Sequence, residues 1–168
     1  MCYHIETRRL TLRAYEDQDA RPLVDILGRF EVSKWLETVP HPFGVADLRM
    51  YQPDGGSRWP DTMAIERDGR LIGAVSSGAE VGYFLHPNHW GQGLASEALA
   101  AALRFRFETT EVDSLYAGVF AGNPASERVL AKAGFRKSGQ SIGFCRARGC
   151  ELACTDYTLT RSRWEELA

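Results

Sequence analysis

No stretch of this chain approaches the roughly 20 consecutive apolar residues that span a bilayer, so no membrane helix is expected. Positive charge does not accumulate either. Twenty Lys and Arg stand against 22 Asp and Glu, for a formal net charge of −2. No basic run forms the stripe that a polyanion would require, and nucleic acid is not expected as a partner. Cysteine is scarce: of Cys2, Cys145, Cys150 and Cys154, the last three lack paired C-x-x-C spacing and a nearby histidine. No metal site is expected from them; they read as the reduced thiols of a cytosolic protein. The polar, charged start, residues 1–13, has no signal-peptide pattern, so a cytoplasmic location is expected. There is no repeat, low-complexity tract or linker, and 168 residues suit one domain, 1–168.

Apolar periodicity gives the elements. Residues 5–13 alternate and predict a first strand; Asp17 and Asp19 bracket the start of a helix running to about Leu27 and ended by Gly28. Residues 30–36 suggest a short second helix, Pro40 and Pro42 an extended turn, and 52–60 a loop. Residues 62–67 and 70–76, joined by Asp68-Gly69, predict a β-hairpin, and 80–85 a third antiparallel strand close behind. Leu94, Ala98, Leu99, Ala102, Leu103 and Phe107 recur at helical spacing, which makes 92–107 the longest helix. A strand over 114–120 follows. Asn123-Pro124 then opens a helix with an N-cap and a proline at its first position, and Gly134 closes it. Two last strands, 135–144 and 151–159, surround a turn at Arg148-Gly149. The order β, α, α, β, β, β, α, β, α, β, β is that of an α/β protein with a mixed sheet of seven strands.

The chemistry concentrates where strand 80–85 meets the long helix. The run Pro87-x-x-Trp90-Gly91-Gln92-Gly93-Leu94-Ala95-Ser96-Glu97-Ala98 places two glycines and a small residue at a helix start. Unpaired N–H groups and the positive end of the helix dipole can there hold a diphosphate without a cationic side chain, and the glycines let the backbone approach it. A tight strand-to-helix connection is the structural alternative.

These residues resemble motif A of the GNAT superfamily, (Gln/Arg)-x-x-Gly-x-(Gly/Ala). Gly93 and Ala95 fill the last two positions, and Trp90 departs from the first. The form over Pro87 to Ala98 is similar to the branch of ribosomal-protein N-terminal acetyltransferases, as is Asn123-Pro124-Ala125-Ser126. The resemblance implies a GNAT fold, mostly antiparallel with helices on both faces, and an N-acetyltransferase that uses acetyl-CoA. By the same resemblance, Phe84, Leu85, Trp90, Gly91, Gln92, Gly93, Leu94, Ala95, Ser96, Asn123 and Ser126 contact the coenzyme. It further implies that the strand at 80–85 is bulged, that a backbone N–H, at Leu85, polarises the thioester carbonyl, and that Ser126 sits by the sulfur.

Asn123 also has a plain role as N-cap, and Ser126 as a first-turn hydroxyl bonded locally. Where many members carry a tyrosine as acid this chain has Leu130, which shifts that part to Ser126 or water. Glu80, His86 and Glu97 are candidates for the base; a solvated strand end, a turn cap and a dipole partner are their respective alternatives. The acceptor is expected to be a primary amine, either a protein N-terminus or a small molecule. Its site should be walled by residues 31–60 and the turn at 146–149, on a monomer or homodimer. A non-catalytic acyl-CoA sensor on the same fold is the alternative function.

Overall fold

The computed structural model describes residues 4–51 and 61–167. Cys2 and the loop expected over 52–60 lie outside the described residues. The chain opens with β1 (His4–Glu6) and β2 (Thr11–Arg13), an antiparallel pair in which His4 faces Arg13. The sequence pattern predicts one strand here. The break comes at Thr7, whose N–H donates to the Leu10 carbonyl at 2.9 Å while its hydroxyl accepts the Leu10 N–H at 3.0 Å. A hydroxyl bonding its own backbone nearby competes with a continuous ladder and folds the segment into a turn.

β3 (Thr62–Arg67), β4 (Arg70–Ser77) and β5 (Val81–Leu85) complete a five-stranded sheet in the order β1-β2-β3-β4-β5. Asp68 and Gly69 both have positive φ, 52° and 74°, as a tight hairpin turn of this hand demands. A second sheet, in the order β6-β8-β7, is built from β6 (Ser114–Phe120), β7 (Arg136–Cys145) and β8 (Cys150–Thr160). Among the described residues there are eight strands, close to the seven expected, and they form two sheets of five and three. One parallel bridge, Glu80 opposite Tyr116, joins the sheets, with the Tyr116 N–H donating to the Ala79 carbonyl at 3.1 Å.

Alternation along β3 explains why helices cover both faces. Met63 and Ile65 join the core cluster that holds Leu99 and Leu103 of α3 (Leu94–Thr109). Ala64, between them, joins Leu23, Ile26 and Leu27 of α1 (Ala20–Leu27) on the other side, near α2 (Phe30–Ser33). Fully buried side chains such as Leu12, Ile65, Leu99 and Leu159 each contribute about 1.5–3 kcal/mol. α4 (Pro124–Lys132) follows β6. α5 (Arg161–Leu167), absent from the expected order, folds back so that Trp164 stacks on Phe107 with ring centroids 5.0 Å apart. Its seat is Gly134: φ there is +93°, and a Cβ would lie 2.4 Å from Leu167 Cδ1. No described helix is long and apolar enough to cross a membrane.

Arg13 ties the first strands to the helical face. Its guanidinium donates to both oxygens of Asp19, at 2.7 and 2.9 Å, and to Glu66 at 2.6 Å. Both members of the Arg13–Asp19 pair are buried, 8% and 2% exposed. The Asp19 hydrogen bonds raise the Arg13 pKa against the opposing effect of burial. Asp19→Ala leaves a buried cation without its main partner, so a loss of about 3–5 kcal/mol is expected in denaturant unfolding, larger than for Asp25→Ala on the surface.

Candidate active site

β5 and β6 run side by side only at Glu80 and Tyr116 and then separate, leaving a cleft of about 500 Å³ between them. The register of β5 shows which of its amides face that cleft. The His86 N–H donates to the Ile72 carbonyl, at 2.8 Å, so the pairs 84/74 and 82/76 exchange hydrogen bonds with β4. The N–H and C=O groups of Tyr83 and Leu85 therefore point away from β4, towards β6. The Leu85 carbonyl is taken by the Trp90 indole N–H, at 2.9 Å. The pairing of β5 is continuous, without the bulge that the resemblance implies; the sheet's irregularity lies between Ile65 and Glu66 instead. Gly82 on β5 and Gly118 on β6 both line the cleft, and beyond its chain neighbours a Cβ on either would meet no atom of the described residues within 4 Å. Neither glycine is demanded by packing within the chain. Both leave room for a narrow ligand between the strands.

The loop from β5 to α3 is shaped by two left-handed residues, Gly91 at φ +71° and Gly93 at +75°, the second being the N-cap of α3. The backbone N–H groups of residues 91–96 make no hydrogen bonds among the described residues. Successive unpaired amides at a helix start form an anion cradle. Gly91, Gly93, Ala95 and Ser96 line the cleft with Trp90. Leu94 is 1% exposed, its side chain in the core, so only its backbone serves the cradle. Gln92 does not turn its side chain inward. Its Oε1 accepts from Arg67 at 2.9 Å, its Nε2 donates to the Asn88 carbonyl at 3.0 Å, and its own carbonyl accepts from Arg9 at 2.9 Å.

Glu97 and His86 serve the scaffold. Glu97 Oε1 accepts from the Thr7 hydroxyl at 2.7 Å and the Arg9 N–H at 2.8 Å, and its Oε2 from the Arg9 side chain at 2.7 Å. Burial would raise its pKa, but these donors outweigh burial and hold it below the usual carboxylate range. His86 Nδ1 accepts the Asn88 N–H at 3.1 Å while Nε2 faces Asp25 of α1 at 3.2 Å, the turn-cap alternative. Glu80 sits at the apex of the divergence, exposed and outside the cleft wall, where loss of hydration and the Glu37 carboxylate raise its pKa.

Across the cleft, Asn123 Oδ1 accepts the Ser126 N–H at 3.2 Å, so its N-cap role is real, and both residues line the cavity. Leu130 is buried at 1%. Phe84 lines the wall with Trp35 and Leu36 of the expected 31–60 segment, as do residues that sequence reasoning missed: Tyr83, whose hydroxyl lies 2.8 Å from Ser126 Oγ, and His89, Arg128 and Lys132. Arg128 and Lys132 were legible as a pair, because i and i+4 share a helix face. The wall around Trp35 comes from the expected segments: Arg148 lies over its ring at 4.6 Å, and the Arg146 N–H donates to the Glu37 carbonyl at 3.1 Å.

An anion cradle at a helix mouth, opening into a slot between diverging strands, suits a diphosphate carried on a slender arm. The pattern of the acetyltransferase (GNAT) domain matches residues 9–136. The uncharacterised N-acetyltransferase YoaA of Bacillus subtilis (strain 168) is 30% identical over 95% of this chain and 97% of its own. YdaF of the same organism, assigned as a ribosomal N-acetyltransferase, is 25% identical over 93% of each. The spermidine N-acetyltransferase of Vibrio cholerae, solved with CoA and spermine, superposes with a TM-score of 0.75 at 19% identity, over 95% of this chain and 99% of that one. The chain belongs to the GNAT acetyltransferase family. It is an N-acetyltransferase whose co-substrate is acetyl-CoA.

Two outcomes follow for the cleft and its cradle. Gly82→Ala should leave the melting temperature unchanged and weaken acetyl-CoA in calorimetry, because its methyl enters only the open slot. Gly93→Ala should weaken binding and also cost about 1–2 kcal/mol of stability, the penalty of a left-handed residue with a Cβ. A third concerns acid. The depressed pKa of Glu97 makes its contribution complete above the unfolded value of about 4.3 and lost as pH falls through the lower folded value. Glu97→Gln should therefore flatten the acid limb of a melting-temperature profile below about pH 4.5.

Proposed function

We propose that this enzyme transfers the acetyl group directly from acetyl-CoA to the primary amine of an acceptor, without an acetylated enzyme intermediate. The supporting observation is the convergence on one cleft of the unpaired amides at 91–96, the outward N–H of Leu85 and the hydroxyl of Ser126. Main-chain amides of Gly91, Gln92, Gly93, Leu94, Ala95 and Ser96 take the diphosphate; Phe84, Trp90 and Asn123 border the arm. The Leu85 N–H donates to the thioester oxygen as negative charge grows on it. The amine nitrogen bonds to the carbonyl carbon, the C–S bond breaks, and Ser126 gives a hydrogen bond to the departing thiolate. A thiol with a pKa of about 8.5 needs no stronger acid. Glu80, with its pKa raised, takes the amine proton through water. Most of the acceleration comes from holding amine and thioester together.

The acceptor enters beside Trp35 and Leu36. A protein N-terminus is favoured by the likeness to YdaF, and a polyamine by the Glu37 and Glu80 carboxylates, which interact near the apex. The protein works as one domain, 1–168, in the cytoplasm, as a monomer or homodimer. A free-thiol assay with acetyl-CoA across peptides, polyamines and aminoglycosides should show CoA release with one class well above the others. Ser126→Ala and Glu80→Gln should each lower kcat about 100-fold, the lower end of acid–base contributions. Binding of acetyl-CoA with no thiol release on any amine would convert the assignment to a sensor.

A further inference from the structure

Tyr83 is the one polar side chain of β5 that reaches α4. Its ring packs against the main core cluster, and its hydroxyl lies 2.8 Å from Ser126 Oγ and 3.1 Å from the Ser126 carbonyl. A phenol has a single proton to give. The Ser126 carbonyl lies in the first turn of α4, where the helix supplies it with a backbone donor four residues on. The shorter contact, at the usual O–H···O distance, is the one to Oγ. Either oxygen of this 2.8 Å pair can be the donor; when the phenol donates, with the Ser126 N–H on Asn123 Oδ1, the serine proton is left for the cleft that both residues line.

We propose that Tyr83 is a positioning residue for acetyl transfer: its hydroxyl donates to Ser126 Oγ and so aims the Ser126 proton at the place where the coenzyme sulfur departs. The inference rests on the role given to Ser126 above. Two features of the site support it. Burial, opposed by the Ser126 hydrogen bond and aided by Tyr157, pushes the Tyr83 pKa up to about 12, so the phenol stays a donor through the neutral range. A hydroxyl that accepts one hydrogen bond is also polarised into a better donor of the next. In this arrangement Tyr83 acts through Ser126. It removes the rotational freedom of a hydroxyl that otherwise turns to whichever neighbour is nearest, and it compensates for the acid that Leu130 cannot supply.

Tyr83→Phe keeps the ring and deletes only the donor. Steady-state kinetics should show kcat lower by roughly three- to tenfold, the rate equivalent of one hydrogen bond, with KM for acetyl-CoA within about twofold of the parent. In a Ser126→Ala background the same substitution should have no further effect on kcat. Melting curves of all four proteins identify any variant that fails to fold, and Tyr83→Trp, which retains a ring donor off line, should lose the same kcat as Tyr83→Phe. An unchanged kcat in Tyr83→Phe, or an equal loss in both backgrounds, overturns the proposal while Ser126 keeps its role. A parental kcat in Ser126→Ala overturns the role of Ser126 and the proposal together.

Discussion

The site depends on how little joins β5 to β6. A single parallel bridge at Glu80 and Tyr116, with one hydrogen bond from Tyr116 to the Ala79 carbonyl, holds the two sheets together at that seam. Beyond it each strand keeps its partner on the far side, β4 or β8, and has none on the near side. Buried backbone polar groups must be satisfied somewhere. Here an outward row of N–H and C=O groups on β5 is satisfied only in part, by the Trp90 indole on the Leu85 carbonyl. What remains is a lining able to bond a ligand with amides of its own. The divergence of two strands thus produces both the space and the hydrogen-bonding capacity.

Much of this was written locally in the sequence. Asp68-Gly69 specified its hairpin because few other pairs tolerate two positive φ values, and Gly91 and Gly93 marked the cradle for the same reason. Asn123-Pro124 named the start of α4. What escaped was set by contacts between distant residues. The break between β1 and β2 depends on the Thr7 hydroxyl competing for the Leu10 N–H inside an otherwise alternating stretch. α5 is short, and it is seated by Gly134 and Phe107. The candidate bases could not be sorted from one another until Arg9 was seen on Glu97 and Asp25 on His86. Tyr83 was invisible as a partner of Ser126, since 43 residues separate them and neither sits in a recognisable pair.

Electrostatics divides the cleft into two ends. Around the cradle, Arg9 and Arg67 hold Gln92 from opposite sides, while Arg128 and Lys132 stand on the facing helix. At the apex two carboxylates, Glu80 and Glu37, act on one another. The two ends of the cleft therefore carry opposite sign, basic at the cradle and acidic at the apex.

The brace on Gln92 has a further consequence. Arg9 belongs to the turn between β1 and β2 and Arg67 to the end of β3, so the cradle is gripped by two elements far from α3 in the chain. A loop held this way has surrendered its freedom during folding, and capture of the coenzyme need not order it again. The reciprocal also holds. Whatever binds and steadies this loop also steadies the amino-terminal strands that lean on it, and that coupling is read as protection of those strands from solvent exchange.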